Sequence, residues 1–191
     1  MSQLFNDVTL NRLITEAVES GTPGLSVAIA NKSGVLWTSV AGVADLSKGS
    51  PVQADHLFGI GSITKTFVAV VILQLVEEGR LSLQATALDI LGADTVGAVP
   101  SAAQATIAQL LNHTSGVPSW EDDPLWIKEG RGAQQDVARV WSPEATLRYI
   151  EQTPATNAPG EQYAYANTNY TLLGLVIEHL CANDLVDEIR Q

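Results

Sequence analysis

The sequence predicts an α/β (α+β) protein, with an antiparallel strand pair near the N-terminus and helices through most of the remaining chain. Three observations carry the prediction. Residues 25–30 and 35–42 are strand-like runs separated by Asn31-Lys32-Ser33-Gly34, the composition of a hairpin turn. Residues 8–19 place Leu10, Leu13, Ile14 and Val18 on one face at helical spacing. The run Phe67-Val68-Ala69-Val70-Val71-Ile72-Leu73 is apolar nearly all round, which predicts a buried central helix and not one laid on a surface.

Punctuation then sets the order of elements. Gly21-Thr22-Pro23-Gly24 ends the first helix before the strand pair. The apolar helix closes near Glu78-Gly79-Arg80, where glycine accepts the backbone angles of a helix C-cap. Residues 81–91 form a region of short elements, and residues 106–111 a short helix leading into a turn at His113. Ser142-Pro143-Glu144 combines a capping serine with proline at the first helical position, so a helix is expected to about Gln152. Pro159-Gly160 makes a turn, residues 172–177 a further helix, and residues 184–190 a last one. Trp120, Trp126 and Trp141 fall between the short helices, where they are expected to pack as core more than to line a pocket.

Charge and composition exclude several classes of function. At 191 residues the chain is long enough to bury a core. Its formal net charge of −11 argues against nucleic acid and anionic membrane as partners. A single cysteine, Cys181, cannot form an internal disulfide, and its helical setting predicts a packing role. Met1-Ser2-Gln3-Leu4-Phe5-Asn6-Asp7 has neither the basic start nor the apolar core of a secretory signal, which predicts a cytoplasmic protein. The longest apolar run, residues 68–76, is too short to span a bilayer.

Chemistry concentrates at Gly59-Ile60-Gly61-Ser62-Ile63-Thr64-Lys65. A serine hydroxyl is a poor nucleophile at neutral pH and needs a nearby base. Residues three apart on a helix share a face, so Lys65 can reach the Ser62 oxygen. Burial of the helix would favour the neutral amine of Lys65, and amides at the helix start favour negative charge near Ser62. Gly61 lets a substrate approach the backbone closely. The structural alternative is an N-cap serine followed by a surface lysine. A second constellation, Tyr163-Ala164-Tyr165-Ala166-Asn167-Thr168-Asn169-Tyr170, puts Tyr165 and Asn167 on one side of an extended segment. A phenol beside a lysine can exchange a proton with a serine, and an asparagine amide can hold the lysine and a substrate amide at once. Taken alone, this segment is equally a helix cap with a packing tyrosine.

Together the two constellations resemble the serine β-lactamase and penicillin-binding-protein superfamily, for which S-x-x-K is a known signature. The Tyr-x-Asn form is similar to that of class C β-lactamases, D-alanyl-D-alanine carboxypeptidases, D-aminopeptidases and β-lactamase-fold esterases. Leu110-Leu111-Asn112-His113-Thr114-Ser115-Gly116 and Tyr165-Ala166-Asn167-Thr168-Asn169-Tyr170-Thr171-Leu172-Leu173-Gly174 resemble two further blocks of the group. The resemblance runs from about Gly24 to the last residue. It implies a β-lactamase/transpeptidase-like fold, an antiparallel sheet with helices plus a mostly helical lobe. Residues 1–80 and 168–191 would belong to the α/β part and residues 81–167 to the lobe. It also implies Ser62 as acylated nucleophile, Lys65 as its proton partner, Tyr165 as base and acid, and Asn167 and Gly61 as substrate-binding residues.

The family's third triplet, Lys-Thr-Gly or His-x-Gly on a strand after Tyr-x-Asn, has no match beyond Asn167. His56, His113 and His179 do not supply it, and Lys32-Ser33-Gly34 reads as the hairpin turn. The chain is therefore expected to be the N-terminal part of a catalytic domain whose C-terminal strands are missing, either truncated or completed by a second chain. The resemblance implies a serine hydrolase working through an acyl-enzyme with no metal or organic cofactor. An esterase on small or acyl esters ranks first, then a D-amino-acid peptidase or amidase, then a β-lactamase. A non-turnover penicillin sensor or an inactive fragment is the reading from another class.

Overall fold

Asn6 starts the first helix because its side-chain oxygen accepts the backbone N–H groups of Val8 and Thr9, donors a helix start leaves unpaired. The computed structural model describes residues 6–191 and divides at Gly59/Ile60 into two units. In the first unit α1 (Asp7–Glu19) is followed by β1 (Gly24–Asn31) and β2 (Gly34–Asp45), with β3 (Ser50–Pro51) beyond them. The strands form an antiparallel sheet of order β1-β2-β3. Register runs from Gly24 opposite Gly42 to Asn31 opposite Gly34, with one irregularity at Ile29/Ala30. The expected hairpin turn is there: Gly34 has φ 117° and Asn31 Oδ1 accepts the Ser33 amide. Lys32-Ser33-Gly34 is accounted for by that turn.

The second unit opens with a 3₁₀ turn, Gly61–Ile63, that feeds directly into α2 (Thr64–Glu77). Short helices follow: α3 (Ala87–Leu91), α4 (Ala93–Val96), α5 (Ile107–Leu111), α6 (Pro124–Trp126) and α7 (Pro143–Leu147). Helices α3 and α5 carry the same device, a capping box of Thr86 with Asp89 and of Thr106 with Gln109, and the two threonines form a β-bridge. The helix expected from Ser142 to about Gln152 is shorter: α7 tightens into a 3₁₀ turn over Arg148–Ile150 and stops. The Ser142 cap and Pro143 fix its start, whereas the nearest breaker after it, Pro154, lies four residues past Ile150 and does not mark so early an end. The last helices are α8 (Asn167–Cys181) and α9 (Leu185–Arg190).

The core of this unit is the seam between α2 and α8, extended by α3, α5 and α7. Val68, Val71, Ile72 and Leu75 of α2 are buried with Leu172, Leu173, Leu175, Val176 and Ile177 of α8. One expectation fails here. Helix α2 buries one face only; Phe67, Val70 and Leu73 on the other are 46–50% exposed. An all-round apolar pattern records which residues favour burial, but it cannot say whether a partner lies on each side. Trp120, Trp126 and Trp141 are half-buried: Trp120 packs on the core, Trp126 lies 4.8 Å from it, and Trp141 carries Arg139 3.6 Å above its ring. Cys181 is part-buried, and burial raises its thiol pKa, in keeping with a packing role. No helix among the described residues is long and apolar enough to cross a membrane.

Candidate active site

The spacing of Ser62 and Lys65 is a local consequence of the 3₁₀ turn running into α2. Gly61 makes the entry possible with φ 53°, a backbone angle that disfavours residues with a Cβ. Three residues on, Lys65 Nζ donates to Ser62 Oγ at 3.3 Å. From 103 residues further along the chain, Tyr165 brings its hydroxyl to 2.8 Å from Ser62 Oγ. Lys65 Nζ also donates to Asn167 Oδ1 at 2.7 Å, and Tyr165 OH donates to the same oxygen at 3.1 Å. With the phenol proton directed at Asn167, the Ser62 hydroxyl is left to donate to the phenol oxygen. Four of the residues singled out in the sequence thus meet in one hydrogen-bonded cluster. Gly61 contributes no contact to the cluster; its part is the backbone entry to the 3₁₀ turn that carries Ser62.

Electrostatics follow from this packing. Burial pushes the Tyr165 phenol up, but its polar contacts with Lys65 and Ser62, and the lysine charge, outweigh burial and leave it below the usual tyrosine range. Lys65 Nζ lies 5.0 Å from the centre of the Tyr165 ring and 5.5 Å from that of Tyr170. Tyr170 shows the opposite balance: burial raises its pKa, and its hydroxyl donates to the Leu111 carbonyl. Ser62 and Tyr165 are exposed while Lys65 and Asn167 are half-buried, so the two hydroxyl-bearing residues are open to solvent and the other two are more enclosed.

The sequence places Tyr165 and Asn167 in an extended segment; Ala166 between them is extended, with φ −144° and ψ 127°, but Asn167 already begins α8. What holds this junction is a set of polar residues that sequence reading passes over. Ser119 Oγ accepts the Asn167 amide at 3.1 Å. Thr168 Oγ1 donates to the Pro118 carbonyl and accepts the Trp120 amide. Ser115 donates to Asn169 at 2.6 Å. His113 Nδ1 accepts the Ala166 amide at 3.2 Å. Among the described residues, every buried side-chain nitrogen or oxygen has a partner. The signal that could have found them is the block Asn112-His113-Thr114-Ser115-Gly116, whose small hydroxyls and αL-tolerant residues suit a loop built to hydrogen-bond a neighbouring backbone. Elsewhere in this unit, a cavity of about 330 Å³ is lined by Asp123, Leu125, Arg139, Ala145, Arg148 and Tyr149, and none of the three tryptophans contributes to it.

Proteins of known sequence resemble this chain, and solved structures share its arrangement of elements. The family model described as Beta-lactamase matches residues 10–191. Penicillin-binding protein 4 of Amycolatopsis lactamdurans is 29% identical over 172 residues, 90% of this chain and 42% of that protein. Esterase EstB of Burkholderia gladioli is 32% identical over 175 residues, covering 84% of this chain and 42% of the esterase. Among solved structures, a D-stereospecific amidohydrolase from Streptomyces sp. superposes with a TM-score of 0.81 at 31% identity, over 97% of this chain and 53% of its own. The chain spans less than half the length of these two sequence relatives.

Proposed function

The chain belongs to the β-lactamase family, and from that premise we propose that it is a serine hydrolase using Ser62 as nucleophile, first of all on small or acyl esters. The observation that carries the reading is the approach of two proton-handling groups to one hydroxyl, Tyr165 at 2.8 Å and Lys65 at 3.3 Å. Ser62 Oγ attacks the ester carbonyl carbon, and its proton passes to the Tyr165–Lys65 pair. The tetrahedral oxyanion collapses to an acyl-enzyme as the carbon–oxygen bond breaks, and the pair returns the proton to the departing alcohol. Water then attacks the acyl group by the reverse proton route, freeing Ser62 and a carboxylic acid. Asn167 keeps Lys65 on station through its Oδ1 and leaves its amide nitrogen for a substrate carbonyl.

Amide substrates of D-configuration are the second reading, supported by the likeness to the D-stereospecific amidohydrolase. A third wall like that of the family's Lys-Thr-Gly or His-x-Gly strand would add an oxyanion donor, a contribution of about 3 kcal/mol. Full turnover would then require that strand, from this polypeptide or from another chain. The test is an intact mass spectrum of the protein before and after a fluorophosphonate, beside Ser62→Ala. An adduct that vanishes in the variant supports an activated Ser62; labelling that survives Ser62→Ala sinks the mechanism. Continued release of p-nitrophenol from an ester marks a hydrolase, whereas a single stoichiometric burst marks a non-turnover acyl binder.

A further inference from the structure

His113 sits behind the proposed nucleophile's partners, and its hydrogen bonds allow only one protonation state. Its side chain is buried, and its backbone has φ 60°. The Ala166 amide reaches its Nδ1 at 3.2 Å, and an amide N–H can only donate. Asn169 Nδ2 reaches the same nitrogen at 3.1 Å. The orientation of Asn169 is set from its other side. Ser115 Oγ accepts the Val117 amide and therefore has its own proton free to give to Asn169 Oδ1 at 2.6 Å. Asn169 must then turn its NH₂ toward the histidine. Two donors on Nδ1 require an unprotonated Nδ1, with the ring proton on Nε2. An imidazolium would set N–H against N–H twice in a buried pocket.

Burial and a facing cation act in the same direction. Tyr165, Tyr170 and Tyr163 surround it at centroid distances of 4.5, 5.3 and 5.9 Å, and Lys65 on α2 is the facing cation. Burial, and then the lysine charge, hold the imidazole pKa below the ordinary histidine value. Ala166 is the residue between Tyr165 and Asn167, so its amide fixes where both side chains leave the backbone.

We propose that His113 is a positioning residue whose neutral imidazole, acting as acceptor for the Ala166 amide, holds Tyr165 and Asn167 against Ser62 and Lys65, and that its protonation releases them. The proposal rests on the serine-hydrolase reading for its consequence in activity, and on hydrogen-bond geometry alone for its structural content. A group whose folded pKa is depressed supports the fold fully above its unfolded value and loses that support as pH falls through the folded value. The site is therefore assembled at neutral pH and comes apart on the acid side.

His113→Asn provides the control. Asparagine tolerates positive φ, and its Oδ1 can occupy the position of Nδ1, but it does not take up a proton. His113→Ala removes the acceptor. The rate of fluorophosphonate labelling of Ser62 is measured from pH 4 to 8 in the full chain and both variants, together with the ¹H–¹⁵N spectrum. At pH 8, labelling falls at least tenfold in His113→Ala and recovers in His113→Asn. The wild-type rate divided by the His113→Asn rate is constant above the histidine midpoint and drops tenfold per pH unit below it. In the wild type the Ala166 amide signal moves with the His113 midpoint, below pH 6.5; in His113→Asn it does not move. A ratio constant across the range, or a His113 titration that leaves the Ala166 amide unmoved, overturns the proposal. Where Ser62 labels in no form of the protein, the hydrolase reading fails and the Ala166 signal alone decides the role of His113.

Discussion

Helices α2 and α8 each deliver one half of the cluster, yet they are held in different ways. Helix α8 buries an unbroken run from Leu172 to Ile177, and Ala166 with the first turn is tied by Ser119, Thr168, Asn169 and His113 to the loop that follows α5. Helix α2 buries Val68, Val71, Ile72 and Leu75 and leaves Phe67, Val70 and Leu73 half-exposed. Its active end is entered through Gly61 and has no side-chain cap. The difference teaches that Tyr165 and Asn167 are placed by a network, whereas Ser62 and Lys65 are placed by the continuous 3₁₀ turn and helix that carry them. Damage to the network should move one half of the site and leave the other in register.

The largest expected effect tests whether the α8 half takes part in proton transfer. Tyr165→Phe keeps the ring against His113 and removes only the hydroxyl, so Ser62 labelling should fall by about 10² to 10⁴, the usual worth of a positioned acid–base group. Because the Tyr165 pKa lies below the usual tyrosine range, the wild-type rate should rise with pH through that lowered value as the phenolate forms. The phenylalanine variant should lack the rise. An unchanged pH profile would mean that Lys65 serves Ser62 without the phenol.

Next in size is the unequal packing of the two helices. Leu173→Ala, at a site with 0% exposure, should cost about 2–5 kcal/mol in chemical denaturation, because a buried large-to-small change loses transfer energy and leaves a cavity. Phe67→Ala removes a larger side chain from the half-exposed face of α2 and should cost only about 1 kcal/mol, near half of what full burial of such a side chain is worth. Equal costs would break the comparison and show that the α2 face is covered in solution.

Much of the first unit can be read directly from sequence. The α1 helix, the β1–β2 pair and its turn come from helical spacing, strand-like runs and turn chemistry, all of which act within a few residues. The start of α7 is legible for the same reason, and its early end is not, because no local signal marks it. The tryptophans of residues 120–141 read as core in the sequence but are half-buried in the structure, a matter of which neighbours meet them and not of their own hydrophobicity.

The candidate site divides along the same line. Sequence by itself determined that Ser62 and Lys65 face one another, since three residues on a helix always return to the same side. It also supplied Tyr165 and Asn167 as chemically suitable partners, through motif and resemblance. Only the tertiary structure decided that they meet Ser62, because closing 103 residues onto a 2.8 Å contact depends on how α8 packs against α2. The role of His113 belongs wholly to that level. Its tautomer is set by donors at Ala166 and Asn169, more than 50 residues away, and no spacing rule reaches that far.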